Sequence, residues 1–477
     1  MRTSGILLHI TSLPSPFGIG TLGKAAYDFA DFLECAGQKR WQILPVGHTG
    51  FGNSPYQAFS AFAGNPYMID LDFLRRDGLL CPDEFERIDW GNDARCVDYG
   101  KIFRNRIGVL KKVVPRFGKT KEYEQFCTEN AFWLDDYASF MALKEENNGR
   151  PLRDWKKPLP KPDEDKCDFY KIIQFLFYSQ WYALKQYVNS KGIEIIGDLP
   201  IYVAHDSADV MGNPELFELD THGNPVNVAG VPPDGFSEEG QLWGNPVFDW
   251  DYMRRDGYRW WIKRISHSLQ MFDRVRIDHF RGFSSYYSVP AGSPNAVNGF
   301  WRDGPSAELF EAVRSGIGNP DIIAEDLGFV DDGVRDLMAK TGFPGMKILQ
   351  FAFDSREDSD YLPHNYGRNC VVYIGTHDND TLAGWLDSAP PADVEYARKY
   401  LRLNVEEGFA EGVIRSALAS VGDTVILTMQ DLLGLGSEAR MNIPSTSYGN
   451  WQWRALESDF STDLARKLSA TTKLYGR

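Results

Sequence analysis

Residues 274–280 read Arg-Val-Arg-Ile-Asp-His-Phe. Val275 and Ile277 alternate with Arg274 and Arg276, as in a strand, and the run ends on an acid, Asp278. Seven other short apolar or β-branched runs share this character: GILLHI (5–10), WQILPV (41–46), IEIIGDLPIYV (193–203), DIIAED (321–326), MKILQFAF (346–353), VVYIGTHD (371–378) and TVILTMQ (424–430). Most are too continuously apolar to have a face in water. Helical patterns lie between several of them, such as Ala26, Phe29, Ala30 and Leu33, and the stretch from Ile172 to Val188. Eight strands alternating with helices predict a (β/α)8 barrel, an α/β fold, with a doubly wound open sheet as the alternative.

Two intervals are too long for a simple crossover. One, at about 47–170, is charged and helix-rich, with the Pro/Lys-rich run KKPLPKPDEDK near its end; the other, at about 207–255, is rich in Gly, Pro and Asn. Both follow strand carboxyl ends, where barrels carry active-site loops. The expectation is one catalytic domain over 1–477, with a mostly helical insertion and a substrate-loop insertion above the barrel mouth.

Composition excludes several classes. The 477 residues carry 51 Lys and Arg against 66 Asp and Glu, a net charge of −15, with no basic block. A nucleic-acid or anionic-membrane partner is not expected. No run is long and apolar enough for a membrane helix, and the apolar stretch near the start is too brief for a signal peptide. The six cysteines lack C-x-x-C or framework spacing, so the expectation is free thiols, a cytoplasmic location, and no metal or cofactor. Aromatics make up 14 % of the chain.

One motif misleads. GIGTLGKA, residues 18–25, approaches both Gly-rich phosphate signatures, but Ala25 stands where Mg²⁺ needs a hydroxyl. Two prolines also separate it from the preceding strand. A Gly-rich turn feeding a helix accounts for it better than a nucleotide site.

The informative pattern is an acid at the carboxyl end of strand after strand: Asp198, Asp278, Glu325 with Asp326, Asp354, Asp378 and Asp431. Any one of them could be a turn or a helix cap. Together, in a barrel, they converge on one mouth. Paired carboxylates without a metal are the apparatus of glycosidic bond cleavage. Asp278 shares a strand face with Arg276, which favours its ionised form and a nucleophile's role. Glu325, between Ala324 and Leu327, is placed to hold a proton as general acid, and Asp378 to steady a distorted sugar. Tyr56, Phe236, Trp243, Phe248, Trp451 and Trp453 lie in polar loops and are candidate stacking surfaces for sugar rings.

At this point the sequence resembles a known family. AFSAFAGNPYMIDL, GDLPIYVAHDSADV, GVPPD with GQLWGNP, RIDHFRGF, IIAEDLG, GTHDNDT and ARMNIPST with GNWQWR occur here in the order typical of the 4-α-glucanotransferases of glycoside hydrolase family 77, also called amylomaltases or disproportionating enzymes. The resemblance implies retaining transfer of α-1,4-glucan segments between maltooligosaccharides, with glucose among the acceptors. It implies Asp278 as nucleophile, Glu325 as acid/base and Asp378 as transition-state stabiliser. Tyr56, Asp198, Arg276, Asp354, His377 and Asn442 match positions that line the sugar at the cleavage point. Ser54, Phe236, Trp243, Asn245 and Pro246 match the glucan-binding loops. The chain departs from the pattern at Gly235, Met211, Ser445 and Phe51, positions that bear on acceptor grip and chain length rather than on the acids. A hydrolase of the same mechanism and a non-catalytic glucan-binding protein are the alternatives.

Overall fold

The computed structural model describes residues 2–50, 52–233, 237–328, 330–446 and 448–477. Eight strands form one sheet: β1 (Thr3–Leu7), β2 (Arg40–Gln42), β3 (Glu194–Leu199), β4 (Arg274–Ile277), β5 (Ile322–Ala324), β6 (Gly345–Ile348), β7 (Cys370–Tyr373) and β8 (Thr424–Thr428). They lie in the order β6-β7-β8-β1-β2-β3-β4-β5, and every pair is parallel. The ends meet: Ala324 N–H donates to the Pro344 carbonyl at 2.9 Å, and Met346 N–H donates to Asp326 Oδ1 at 2.7 Å. The sheet is therefore a (β/α)8 barrel rather than an open doubly wound sheet.

The side-chain period of two sorts each strand into an inner and an outer row. Leu7, Ile196, Ile323, Met346, Ile348, Val371, Tyr373 and Ile426 form a separate buried cluster that fills the barrel. Val275 and Ile277 point the other way, into the main core beneath the helices. This alternation matters for the site. Two residues on from Ile196 stands Asp198, and two on from Ile323 stands Glu325, so the apolar filling gives way to acids at the strands' carboxyl ends.

Helix α1 (Lys24–Cys35) follows β1 and buries Ala26, Phe29, Ala30 and Leu33, the predicted stripe. The glycines before it have no room for a phosphate loop. A Cβ on Gly23 would stand 1.9 Å from Asp70 Oδ2, and Thr21 Oγ1 donates to that oxygen at 2.6 Å. A protein carboxylate thus occupies the space before this helix.

The segment after β2 folds into helices α2 (Leu71–Arg76), α3 (Tyr99–Lys111), α4 (Lys121–Glu129) and α5 (Ala131–Glu146). The next helix, α6, runs Glu164–Ser190, so it starts inside the Pro/Lys-rich run KKPLPKPDEDK. Asp163 accepts from Lys166 N–H at 3.0 Å, and Glu164 and Asp165 sit in the first turn, where the helix dipole favours acids. Strand-helix alternation fails once. Between β6 and β7 there are only the 3-10 turns Leu349–Ala352 and Pro363–Asn365, because DSREDSDYLP (354–363) offers no apolar helical stripe.

The segment after β3 contributes strands Asn227–Val231 and Gln241–Pro246 to a four-stranded antiparallel sheet. Its other strands, Ser285–Pro290 and Phe300–Asp303, come from the segment after β4. That hairpin was not expected, so the second insertion is built from two crossovers. Among the described residues no helix is long and apolar enough to cross a membrane.

Candidate active site

The site is organised around one buried cation. Arg276 points into the barrel from the middle of β4, beside Met346, with its side chain 3 % exposed. Nη1 lies 2.7 Å from each oxygen of Asp198. Nη2 donates to Asp278 Oδ1 at 3.0 Å and stands 3.8 Å from Glu325 Oε2. A lone buried guanidinium would be prohibitively costly, and three carboxylates on one face compensate for its desolvation. Tyr56 completes this layer by donating its hydroxyl to Asp198 Oδ2 at 2.9 Å.

The two acids that share Nη2 differ in proton affinity. Burial pushes Glu325 up to about 8, with the neighbouring charge of Asp278 adding to it; Arg276 and the His279 N–H, which donates to Glu325 Oε2, oppose the rise. Burial also pushes Asp278 up, to about 6, against the pull of Arg276. Asp278 keeps 28 % of its side chain exposed, and Glu325 13 %. Near neutral pH the first is ionised and the second holds its proton.

Asp378 lies beyond the end of β7. Burial acts to raise its pKa, but His377 at 3.3 Å and Asn442, which donates at 2.6 Å, hold it well below the usual carboxylate range. Arg440 fixes its carbonyl at 2.6 Å. His377 is in turn raised by Asp378 against the lowering effect of burial. The Tyr56 ring stacks on the His377 ring with centroids 5.1 Å apart, and Trp451 backs both at 5.8 Å. Tyr56 thus ties Asp198 on one side of the mouth to His377 on the other.

The chain as a whole is matched in known proteins. The family described as 4-alpha-glucanotransferase matches residues 8–458. The chain belongs to that family. A 4-alpha-glucanotransferase of Clostridium butyricum is 48 % identical over 98 % of this chain and 100 % of its own, and one of Thermus thermophilus is 44 % identical over 100 % and 99 %. The solved amylomaltase from Streptococcus agalactiae, in complex with acarbose, superposes with a TM-score of 0.97 at 43 % identity, covering all of both chains. This protein is accordingly a glycosyltransferase of the 4-alpha-glucanotransferase type.

Other residues singled out in the 4-alpha-glucanotransferase sequence fall into two groups. Ser54 Oγ accepts from Tyr56 N–H at 3.3 Å and shapes the loop that presents the ring. Trp243 meets the ring of His279, the residue after Asp278, at a steep angle with 4.8 Å between centroids. Asn245 is buried and committed to the protein, donating to the Val203 carbonyl at 2.8 Å and accepting from Gln57 at 3.0 Å. Pro246 ends its strand, opposite Val228. Phe236, Gly235 and Phe51 lie outside the described residues.

Several strand-end acids do not join the cluster. Asp354 gives both carboxylate oxygens to Arg356, at 2.8 and 2.6 Å, and that guanidinium holds it down to about 2. Asp326 bridges to β6, as described above. Asp431 accepts from Leu382 N–H at 2.7 Å. Among the aromatics, Phe248 is fully buried against Phe217, Trp250, Trp260 and Trp261, and Trp451 and Trp453 are buried as well. These three are packing rather than open platforms, because the loops that carry them fold back onto the barrel. Sequence reasoning missed Arg440, which acts through the backbone of Asp378, and His279. The signal for His279 was its place directly after Asp278.

Proposed function

We propose that this enzyme moves α-1,4-linked glucan segments from one maltooligosaccharide to another with retention of configuration, through a covalent intermediate on Asp278. The reading is supported above all by one observation: Asp278 and Glu325 contact the same guanidinium nitrogen while favouring opposite protonation states. That shared contact keeps the two facing oxygens within about 7 Å of each other, a bound that admits the short carboxylate spacing of a retaining pair.

In this mechanism Glu325 gives its proton to the glycosidic oxygen as the carboxylate of Asp278 attacks C1. The C1–O bond breaks, a glycosyl ester forms, and the leaving chain departs with a free 4-hydroxyl. Glu325, now ionised, takes the proton of an incoming 4-hydroxyl, whose oxygen attacks C1 and releases Asp278. Asp378, held ionised by His377 and Asn442, stabilises the positive charge that develops on the sugar ring in both steps. Arg276 keeps Asp278 a carboxylate, and Asp198 with Tyr56 keeps Arg276 in place. Trp243 and Tyr56 offer aromatic surface to the glucan, whose donor and acceptor chains are maltooligosaccharides, with glucose as the smallest acceptor.

The same reading takes the whole chain as one catalytic domain with its insertions over the mouth. It places the enzyme in the cytoplasm, in keeping with six unpaired cysteines. Incubation of the purified protein with maltotriose tests the function. A ladder of longer maltooligosaccharides together with glucose is expected. Simple shortening to maltose and glucose would replace transfer by hydrolysis, and an unchanged substrate would sink the catalytic reading.

A further inference from the structure

Seven of the barrel's eight seams are parallel ladders, and among the described residues the eighth, between β5 and β6, has none. One backbone bond begins it, from Ala324 N–H to the Pro344 carbonyl at 2.9 Å. In a regular parallel ladder the next bond would run from Met346 N–H back to the Ala324 carbonyl. Here that amide donates instead to Asp326 Oδ1, at 2.7 Å. The carboxylate is a wedge in the ladder, and β6 is shaped to admit it: a Cβ on Gly345 would collide with Asp326 Oδ2.

Glu325 is held between the strands on either side. Towards β4 its own peptide is fixed twice: its N–H donates to the Ile277 carbonyl at 3.1 Å, and its carbonyl accepts from Phe280 N–H at 3.0 Å. Towards β6 the hold comes from the next residue, through the Asp326 carboxylate. Successive side chains alternate, so Glu325 faces Arg276 and Asp278 in the mouth while Asp326 faces outward. There burial pushes the Asp326 carboxyl up, and Met346 N–H and Lys347 oppose the rise. The crossover from β6 to β7 has no helix to cover this side; Tyr361 comes from it, with Lys347 Nζ 5.2 Å from the centre of its ring.

We propose that Asp326 is a positioning residue for the acid/base: its carboxylate, lodged in the seam, fixes the end of β5 against β6 and so aims Glu325 at the glycosidic oxygen. The inference rests on the mechanism proposed above, in which Glu325 donates that proton. One peptide separates the two carboxylates. Released from Met346, the end of β5 turns about its bonds to β4 and draws Glu325 Oε2 off Arg276 Nη2 and the His279 amide, which it meets only at the tip of its side chain. A displacement of about 1 Å at a proton donor lowers turnover by up to about 10²-fold.

The test compares kcat/KM for consumption of two donors: maltotriose, whose leaving sugar needs a proton, and α-maltotriosyl fluoride, whose fluoride departs with little help from an acid. Asp326→Ala removes the wedge. Asp326→Asn keeps an oxygen for Met346 N–H, and Gly345→Ala crowds the carboxylate out of the seam from the opposite strand. Circular dichroism checks that each variant is folded. Asp326→Ala and Gly345→Ala are expected to lose about ten-fold or more on maltotriose, carried by kcat with KM within about two-fold, and less than about three-fold on the fluoride. Asp326→Asn should recover most of the maltotriose activity. Unchanged maltotriose turnover in Asp326→Ala would overturn the proposal. So would equal losses on both donors, which general distortion of the mouth predicts, or an Asp326→Asn as impaired as Asp326→Ala. Glu325→Gln, assayed in parallel, separates the two levels: an equal loss on both donors in that variant overturns the reading of Glu325 as the acid, whereas a loss confined to maltotriose there, beside an unaffected Asp326→Ala, overturns the positioning role alone.

Discussion

Arg276 Nη1 lies 2.7 Å from both oxygens of Asp198, and neither side chain is open to solvent. This pair sits where the apolar filling of the barrel ends and the catalytic layer begins. It anchors the cation that opposes the burial-driven rise in proton affinity of both Asp278 and Glu325. The substitution Arg276→Leu is expected to cost about 3–5 kcal/mol, because Asp198 stays buried without its partner. The loss should appear in chemical denaturation, and activity should fall with it. An Arg276→Leu variant as stable as the parent would show that the pair is not what holds this layer.

The division of labour between the two acids is checked by substitution. Asp278→Asn and Glu325→Gln should each cut turnover on maltotriose by about 10³-fold or more, with circular dichroism of the folded protein retained. Near-normal turnover in either variant would remove that residue from its role.

The pH dependence follows from the same contact. Activity requires Asp278 without its proton and Glu325 with one. As pH rises through about 6 activity should appear, and as it rises through about 8 it should fade, giving a bell-shaped kcat/KM. Glu325→Gln should abolish the alkaline limb in whatever residual activity remains. A profile flat from pH 5 to 9 would contradict the assignment.

Glu325 also bears on stability. Its folded-state pKa, about 8, lies above the ordinary 4.5, so the folded state holds the proton more tightly than the unfolded chain. Stability is therefore lost as pH rises from about 4.5 toward 8. Glu325→Gln keeps an acceptor for the His279 amide and does not titrate. In urea unfolding its stability should exceed the parent's at pH 7–8, by an amount of the order of 2 kcal/mol, and match it near pH 4. Equal differences at both pH values would refute the linkage.

Ser445 offers a control that leaves the acids untouched. It has φ 65°, a left-handed backbone that glycine adopts without strain. Ser445→Gly should stabilise the protein by about 0.5–1 kcal/mol. Thermal unfolding would measure it, and a destabilised variant would mean that the hydroxyl matters more than the backbone.

Much of this molecule is legible in its residues. The apolar runs name the barrel strands, and the period of two puts Asp198 behind Ile196 and Glu325 behind Ile323 on the inner face. Asp278, Glu325 and Asp378 stand out only as members of a set of acids that end apolar strands, any one of which could be a turn or a cap. The sequence could not separate them from Asp326, Asp354 and Asp431, which share that pattern. Those three are held by Met346 N–H, Arg356 and Leu382 N–H. The same limit applies to the aromatics. Phe248 and Trp243 lie five residues apart in one polar stretch, yet one is buried core and the other is partly exposed against the ring of His279.

Local sequence fixes what each strand presents and to which side, because side-chain direction follows from backbone period and burial follows from hydropathy. The partners that meet across the mouth come from strands far apart in the chain: Tyr56 with Asp198, Arg276 with Asp198 and Glu325, and Asp378 with Asn442. Only the side-by-side pairing of their strands in the sheet brings them together. Distance and desolvation then decide which acid keeps its proton, and neither is a property of any single stretch of the chain.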